Sequence, residues 1–288
     1  MFTIAGASGK VGSAAAETLL AAERVVRVIV RSDEKGAKWR ERGAEVFVGS
    51  LDDAAFVTRA LTGVEGAFLL LPPDFRGEVY ERQKQLAQAM AQAVRDSQVP
   101  HVVLLSSVGA HLPSGTGVIQ GLYHAEQALA KTGANVTFIR ATSFMENLAG
   151  NVGLAAAQGI LPWFLDEKTP IGMVATHDIG RLAAQALMNP PKGKKIYELV
   201  GPKEYSPSEI ADTLGKALGK PVKLAAMPAS QAAGAMVKGG VPEFLAGPLG
   251  EMTEALAAGR VKYDGAGERV RGLTSLWHVV HQLARKAN

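Results

Sequence analysis

The chain alternates short apolar runs with amphipathic stretches from its first residues onward. Apolar runs at 2–5, 25–30, 45–48, 66–71, 101–105 and 136–139 are strand-sized and rich in Val, Ile, Leu and Phe. Between them the pattern turns helical. Helices are predicted over 11–22, 33–42, 52–61, 78–97 and 122–131, with Leu86, Ala89, Met90 and Ala93 keeping helical spacing in the longest. Asp52 or Asp53 is placed to cap the third helix, and Pro72-Pro73 closes the fourth strand. Strands apolar throughout, rather than on alternate positions, are buried on both faces. Alternation with helices then predicts an α/β fold, a doubly wound parallel sheet of the Rossmann type. After about residue 151 the rhythm loosens. Apolar pieces at 171–174, 196–200 and 222–225 alternate with helices near 178–188 and 208–218, and Gly and Pro pairs become frequent. The expected division is a Rossmann domain over 1–150. Residues 151–288 then supply sheet extensions and a smaller, mostly helical lobe on the substrate side.

The first strand runs directly into Gly6-Ala7-Ser8-Gly9-Lys10-Val11-Gly12, which opens the first helix. In that context the glycines have separate tasks: Gly6 permits a tight turn, Gly9 lets backbone approach a pyrophosphate, and Gly12 allows close helix–sheet packing. The N–H groups at the helix start then face the phosphates. A phosphate-loop NTPase is disfavoured, because Lys10 is followed by Val11 rather than Ser or Thr. Arg31 ends the second strand. A carboxylate there would bind the adenosine ribose 2′-OH, whereas Arg pairs with a 2′-phosphate, so NADP is expected over NAD. Lys10, Ser32 and Lys35 are further donors for that phosphate, and Asp33 and Glu34 stand close by with the opposite sign.

Composition narrows the chemistry. The 288 residues contain no cysteine, which excludes disulfides, thiolate nucleophiles and Cys-ligated metals. The net charge of +4 comes from scattered Lys and Arg, so nucleic acid contact is not expected. The N-terminus lacks the pattern of a signal peptide, and no run reaches membrane-span length; a cytoplasmic location is expected. No zinc helix, nucleophile elbow or histidine cluster at metal spacing is found, so no metal is expected. His278 and His281 lie beside Trp277 in what reads as a docked terminal helix.

The segments 6–12, 29–31, 49–52, 103–107, 138–140, 144–147, 177–180 and 197–201 together resemble the NmrA-like family of atypical short-chain dehydrogenase/reductases, in particular its quinone oxidoreductase and triphenylmethane-dye reductase branch. The likeness extends to about residue 225. It implies cofactor contacts from Ser50, Leu51 and Asp52 near the adenine, from Leu70, Leu71 and Pro72 along the ribose and pyrophosphate, and from Ser106, Ser107, Thr142, Ser143 and Phe144 near the nicotinamide. Ordinary relatives pair Tyr with Lys four residues on. Here Tyr123 is followed by Gln127, and Leu122 stands where many members have Lys or His. Gln127 cannot depress a tyrosine pKa. Tyr123 and His124 are the catalytic candidates, with His111 a further polar helper, and Phe144, Met145 and Trp163 as walls for an aromatic acceptor. Two readings stay open: an NADPH-dependent reductase of quinones or similar small aromatic acceptors, and a non-catalytic NADP-binding sensor acting through a protein partner. A homodimer also stays open.

Overall fold

A computed structural model of the chain describes residues 1–72 and 78–287. Strand and helix alternate through Phe2–Ile4 (β1), Lys10–Ala21 (α1), Val26–Val30 (β2), Asp33–Arg40 (α2), Glu45–Val48 (β3), Ala54–Leu61 (α3), Gly66–Leu70 (β4), Val79–Ser97 (α4), His101–Ser107 (β5), Gln120–Leu129 (α5) and Asn135–Ala141 (β6). There follow Ser143–Phe144 (β7), Ala149–Gln158 (α6), Ile160–Trp163 (β8), Ile171–Val174 (β9), Thr176–Met188 (α7), Lys194–Val200 (β10) and Glu204–Tyr205 (β11). Pro207–Leu218 (α8), Lys223–Ala226 (β12), Ala232–Lys238 (α9), Glu243–Ala257 (α10), Glu268–Arg271 (β13) and Leu276–Ala287 (α11) complete the chain.

The main sheet has eight strands in the order β13-β10-β6-β5-β4-β1-β2-β3, and every pairing in it is parallel. This is the Rossmann-type doubly wound sheet that the apolar strands predict. Alternate strand residues feed two cores. Ile4, Val28, Val30, Phe68, Val103 and Ile139 pack under α1, α2 and α7. Ile29, Leu69, Val102, Leu104 and Phe138 pack with Phe56, Leu61, Met90 and Leu129 of α3, α4 and α5. A third core, built on Met145, Leu161, Trp163, Tyr205, Ile210 and Val280, holds α6, α8 and α11 together. The two-stranded β8–β12 sheet and the β11-β9-β7 sheet lie outside the main sheet. The C-terminal half also returns β10, β13 and α7 to the main layer. The sheet ends in edge strands β3 and β13. Lys195 pairs with Glu268 at 2.6 Å, Arg269 with buried Glu198 at 3.2 Å, and Arg27 with Glu45 at 2.8 Å.

Element ends differ from the expected ones for local reasons. The helix expected from Asp52 starts at Ala54, because Asp53 is the cap: its carboxylate accepts from the Phe56 N–H at 3.0 Å. α8 begins one residue early, at Pro207, after a reciprocal Ser206–Glu209 capping box. β6 runs longer than expected at both ends, continued by its register with β5 and β10. The α5 region begins earlier, led by the short turn Gly117–Ile119. Val25 is exposed and falls just outside β2. Pro73 lies outside the described residues. α11 is docked, with Leu276, Val279, Val280 and Ala284 buried and Trp277 stacked on His281 at the surface.

α1 and α7 cross in close contact. A Cβ on Gly180 would lie 2.6 Å from the Ala14 Cβ and 2.6 Å from the Val11 carbonyl oxygen. Alanine is the better helix former by about 1 kcal/mol, but overpacking typically costs about 1–3 kcal/mol. Gly180→Ala is therefore expected to lower the melting temperature by several degrees, and an unchanged or raised melting temperature would refute the packing argument.

His101, at the start of β5, is buried with its Nε2 3.0 Å from the Thr137 hydroxyl. Burial pushes its pKa down to about 4, against about 6.5 in an unfolded chain. Between these values the unfolded chain binds the extra proton, so stability falls as pH drops through this window. Denaturant titrations from pH 7 to 4 are expected to show this loss, and His101→Gln to make it shallower. An equal acid loss in the variant would clear His101 of the effect.

Candidate functional site

The winding of the main sheet reverses at β1. From it the chain passes to β2 on one side, and β4 pairs on the other. Open α/β sheets bind ligands in the crevice at such a point, outside the carboxyl ends of the strands. Here that crevice is a groove with two cavities of about 610 Å³ and about 460 Å³, which share Gly6, Gly9 and Leu70.

The shared centre is the glycine turn. Gly6 sits at φ +65°, and the Gly9 N–H donates to its carbonyl at 2.8 Å. A Cβ on Gly12 would stand 2.4 Å from the Gly6 carbonyl oxygen and 2.7 Å from that of Ala5. Both obstacles are backbone, so only glycine lets α1 start this close to the turn. α1 begins after Gly9 with no side-chain cap and no acidic residue in its first turn. Its first N–H groups are thus available to an anion, beside Lys10.

One cavity runs past Ser8 to Arg31, with Ser50, Leu51, Asp52 and Pro72 among its lining. Arg31 is exposed and has no hydrogen-bond or ion-pair partner among the described residues. The neighbouring Asp33 is engaged by Arg40 at 2.5 Å, and Asp52 pairs with Arg82 at 2.6 Å. The other cavity is lined by Lys10, Val11, Leu71, Ser106, Ser107, Thr142, Ser143 and Phe144. Asn147 adds a polar group, and the facing walls are apolar: Val118, Ile119 and Leu122 from the approach to α5 and its first turn, and Met252, Leu256 and Val261 from α10 and the loop after it. The Thr142 hydroxyl is buried there without a partner among the described residues.

A buried ionic chain lies behind this second cavity. Ser106 Oγ donates to Glu126 at 2.6 Å. Arg140 donates to both oxygens of Glu126, at 3.0 and 2.7 Å, and to both oxygens of Asp264, each at 3.0 Å. Burial disfavours a charge on Arg140, but Glu126 and Asp264 outweigh it and raise its pKa above the ordinary arginine value. The Tyr263 hydroxyl donates to the backbone carbonyls of Arg140 and Leu199, at 3.1 and 2.8 Å.

Most of the expected cofactor residues thus meet in one groove. Ala7 and Ser32 do not line it: Ala7 is wholly buried, and Ser32 precedes α2 in extended conformation. Tyr123 and His124 do not line it either; they are half-buried, with their rings edge-on at 5.5 Å. Successive helix residues point about 100° apart, and the α5 residue at the groove is Leu122. His111 lies outside the lining as well, with its Nδ1 3.8 Å from Asp264. Met145 and Trp163, expected as acceptor walls, belong to the third core. Missed altogether were Val118, Ile119 and Asn147 and, on the facing wall, Met252, Leu256 and Val261. For that wall the only signal was a four-residue spacing of Met252 and Leu256 in an Ala-rich stretch, which marks a helix face but not what it covers. Among the described residues no group of three or more His, Cys, Asp or Glu is arranged to hold a metal, and no helix is long and apolar enough to cross a membrane.

The chain is 29% identical over 254 residues to an NAD(P)H azoreductase of Xenophilus azovorans, covering 88% of this chain and 86% of that protein. Its fold matches an NADPH-dependent quinone oxidoreductase of Escherichia coli complexed with NADPH, with TM-score 0.77 at 22% identity over 98% and 99% of the two chains. It matches the triphenylmethane reductase of a Citrobacter species equally well, with TM-score 0.77 at 21% identity over 99% of each chain. With residues 1–270 matching the family as a whole, and the glycine turn set at the reversal point of a parallel sheet, this chain belongs to the NmrA-like family.

Proposed function

We propose that the protein is an NADPH-dependent oxidoreductase that reduces quinones or similar planar aromatic acceptors. The observation that carries this reading is the polarity of one continuous groove: a free arginine at one end, a glycine turn under an uncapped helix in the middle, and an apolar chamber at the other end. The named activities of the relatives point the same way. A dinucleotide fits these residues, since a Cβ on Gly12 would strike the Ala5 and Gly6 carbonyls and displace α1, whose uncapped N–H groups are left facing the groove.

The backbone of residues 6–12 and the α1 N-terminus would hold the pyrophosphate, with Lys10 adding charge. Arg31 would take the 2′-phosphate, which makes NADP the preferred form. Ser50, Leu51 and Asp52 would border the adenine. Ser106, Ser107 and residues 142–144 would border the nicotinamide, which supplies a hydride when bound. Val118, Leu122, Met252 and Leu256 then exclude water and stack the acceptor against that ring, so that catalysis is mainly positioning. Leu122 gives no proton, and Tyr123 and His124 are not groove residues. Solvent is therefore the source of the proton that completes reduction of a quinone to the hydroquinone. In this division residues 1–150 form the nucleotide side, and α10 brings the substrate side of 151–288 into the groove.

Arg31→Glu is expected to weaken NADP(H) binding about tenfold or more, the worth of a charge-assisted phosphate contact, while NAD(H) binding holds or improves. Equal NADP(H) affinity in the variant would refute the assignment. Purified protein mixed with NADPH and a panel of quinones is expected to consume NADPH well above the buffer rate. Micromolar NADP binding without such turnover would instead establish the sensor reading.

A further inference from the structure

Ser106 lines the nicotinamide end of the groove, and its hydroxyl proton is already committed. It is given to Glu126 Oε1 at 2.6 Å. Glu126 is almost wholly buried and is held at both oxygens by Arg140. Arg140 in turn grips both oxygens of Asp264. An ionised carboxylate only accepts hydrogen bonds, and a guanidinium only donates them. The donor and acceptor sense of the whole chain is therefore fixed. A free serine can turn its hydroxyl either way; this one can present only lone pairs to a ligand. The cluster holds two carboxylates against one guanidinium, so its charge reinforces that negative pole. Of the other titratable groups nearby, His111 touches the Asp264 end at 3.8 Å, the Tyr263 hydroxyl donates to the Arg140 backbone carbonyl, and Lys10 lines the same cavity at the glycine turn.

Resting on the NADPH reading above, we propose that Glu126 and Arg140 are positioning residues that fix Ser106 as a hydrogen-bond acceptor at the nicotinamide end, so that the site favours the positively charged oxidised ring over the neutral reduced one. Polar groups preorganised where charge develops act without reorganisation during reaction. The site thereby favours hydride donation over its reverse. A bridge serving only to tie α5 to β6 would be complete with Glu126 and Arg140. Its extension to a serine in the groove wall is what the positioning role explains.

The test is the ratio of the dissociation constants for NADP+ and NADPH, measured calorimetrically on the full chain. Ser106→Ala is expected to weaken NADP+ binding about three- to tenfold, the worth of an ordinary net hydrogen bond, and to leave NADPH within twofold. Ser106→Thr, which keeps the hydroxyl, is expected to restore the ratio. Glu126→Gln, whose amide can donate and so turn the serine round, is expected to behave like Ser106→Ala; Ser106→Ala carries the test alone if Glu126→Gln does not fold. Thermal melting of Ser106→Ala without nucleotide should stay near the parent value, which separates positioning from folding. Equal changes in both constants, or no change in either, would overturn the proposal. A parent chain that binds neither nucleotide would remove the NADPH reading itself, and this inference with it.

Discussion

The clearance between α1 and the first turn is the constraint on which the rest of the site depends. Gly12 sits on the carbonyls of Ala5 and Gly6, and Gly180 of α7 presses α1 from its other side. Neither contact tolerates a side chain, so the direction of α1, and with it the aim of its free N–H groups, is set by backbone meeting backbone. α7 is itself anchored. Its first N–H, from Thr176, donates to both oxygens of Glu146 at 3.1 and 3.0 Å, and the Thr176 hydroxyl adds a third bond at 2.6 Å. A carboxylate at a helix N-terminus is favoured by the helix dipole as well. The aim of the glycine turn at residues 6–12 is thus held in part by residues 146 and 176–180, far away in sequence.

The two ends of the groove solve opposite electrostatic problems. At the Arg31 end the charge is exposed and unpaired among the described residues, while the neighbouring carboxylates Asp33 and Asp52 are occupied by Arg40 and Arg82. A free, solvated cation can exchange water for an anion at little desolvation cost. At the other end Val118, Leu122, Met252 and Leu256 form an apolar wall, and Glu126, Arg140 and Asp264 stand behind the cavity as a paired chain. Unpaired charges there would carry the large penalty of burial. Pairing Arg140 with two carboxylates lets the protein keep polarity next to an apolar chamber.

The sheet and the glycine turn were legible in the sequence because both are local. Apolar strands betray burial on both faces, and three glycines between a strand and a helix have few other uses. The place of Arg31 in the groove was legible for the same reason, and its neighbour Asp33 is paired with Arg40, seven residues on. The apolar end of the groove was not legible. Its roof comes from Met252, Leu256 and Val261, more than a hundred residues from the strands they cover. The chain from Ser106 to Asp264 joins residues 20, 14 and 124 positions apart. Sequence spacing on α5 drew attention to Tyr123 and His124, but the rotation of the helix places Leu122 at the groove, and only packing fixes that rotation.

The charged edges of the sheet have a consequence for how the molecule meets other chains. β3 carries Glu45 beside Arg27, and β13 reads Glu-Arg-Val-Arg, with its charges held by Lys195 and Glu198 on β10. A strand added to either side would have to strip water from these ion pairs, a common protection of natural edge strands against aggregation. An eight-stranded parallel sheet is slow to assemble and would otherwise offer long open ladders while doing so. The ionic trim on its two rims thus guards the folding chain against pairing with its neighbours.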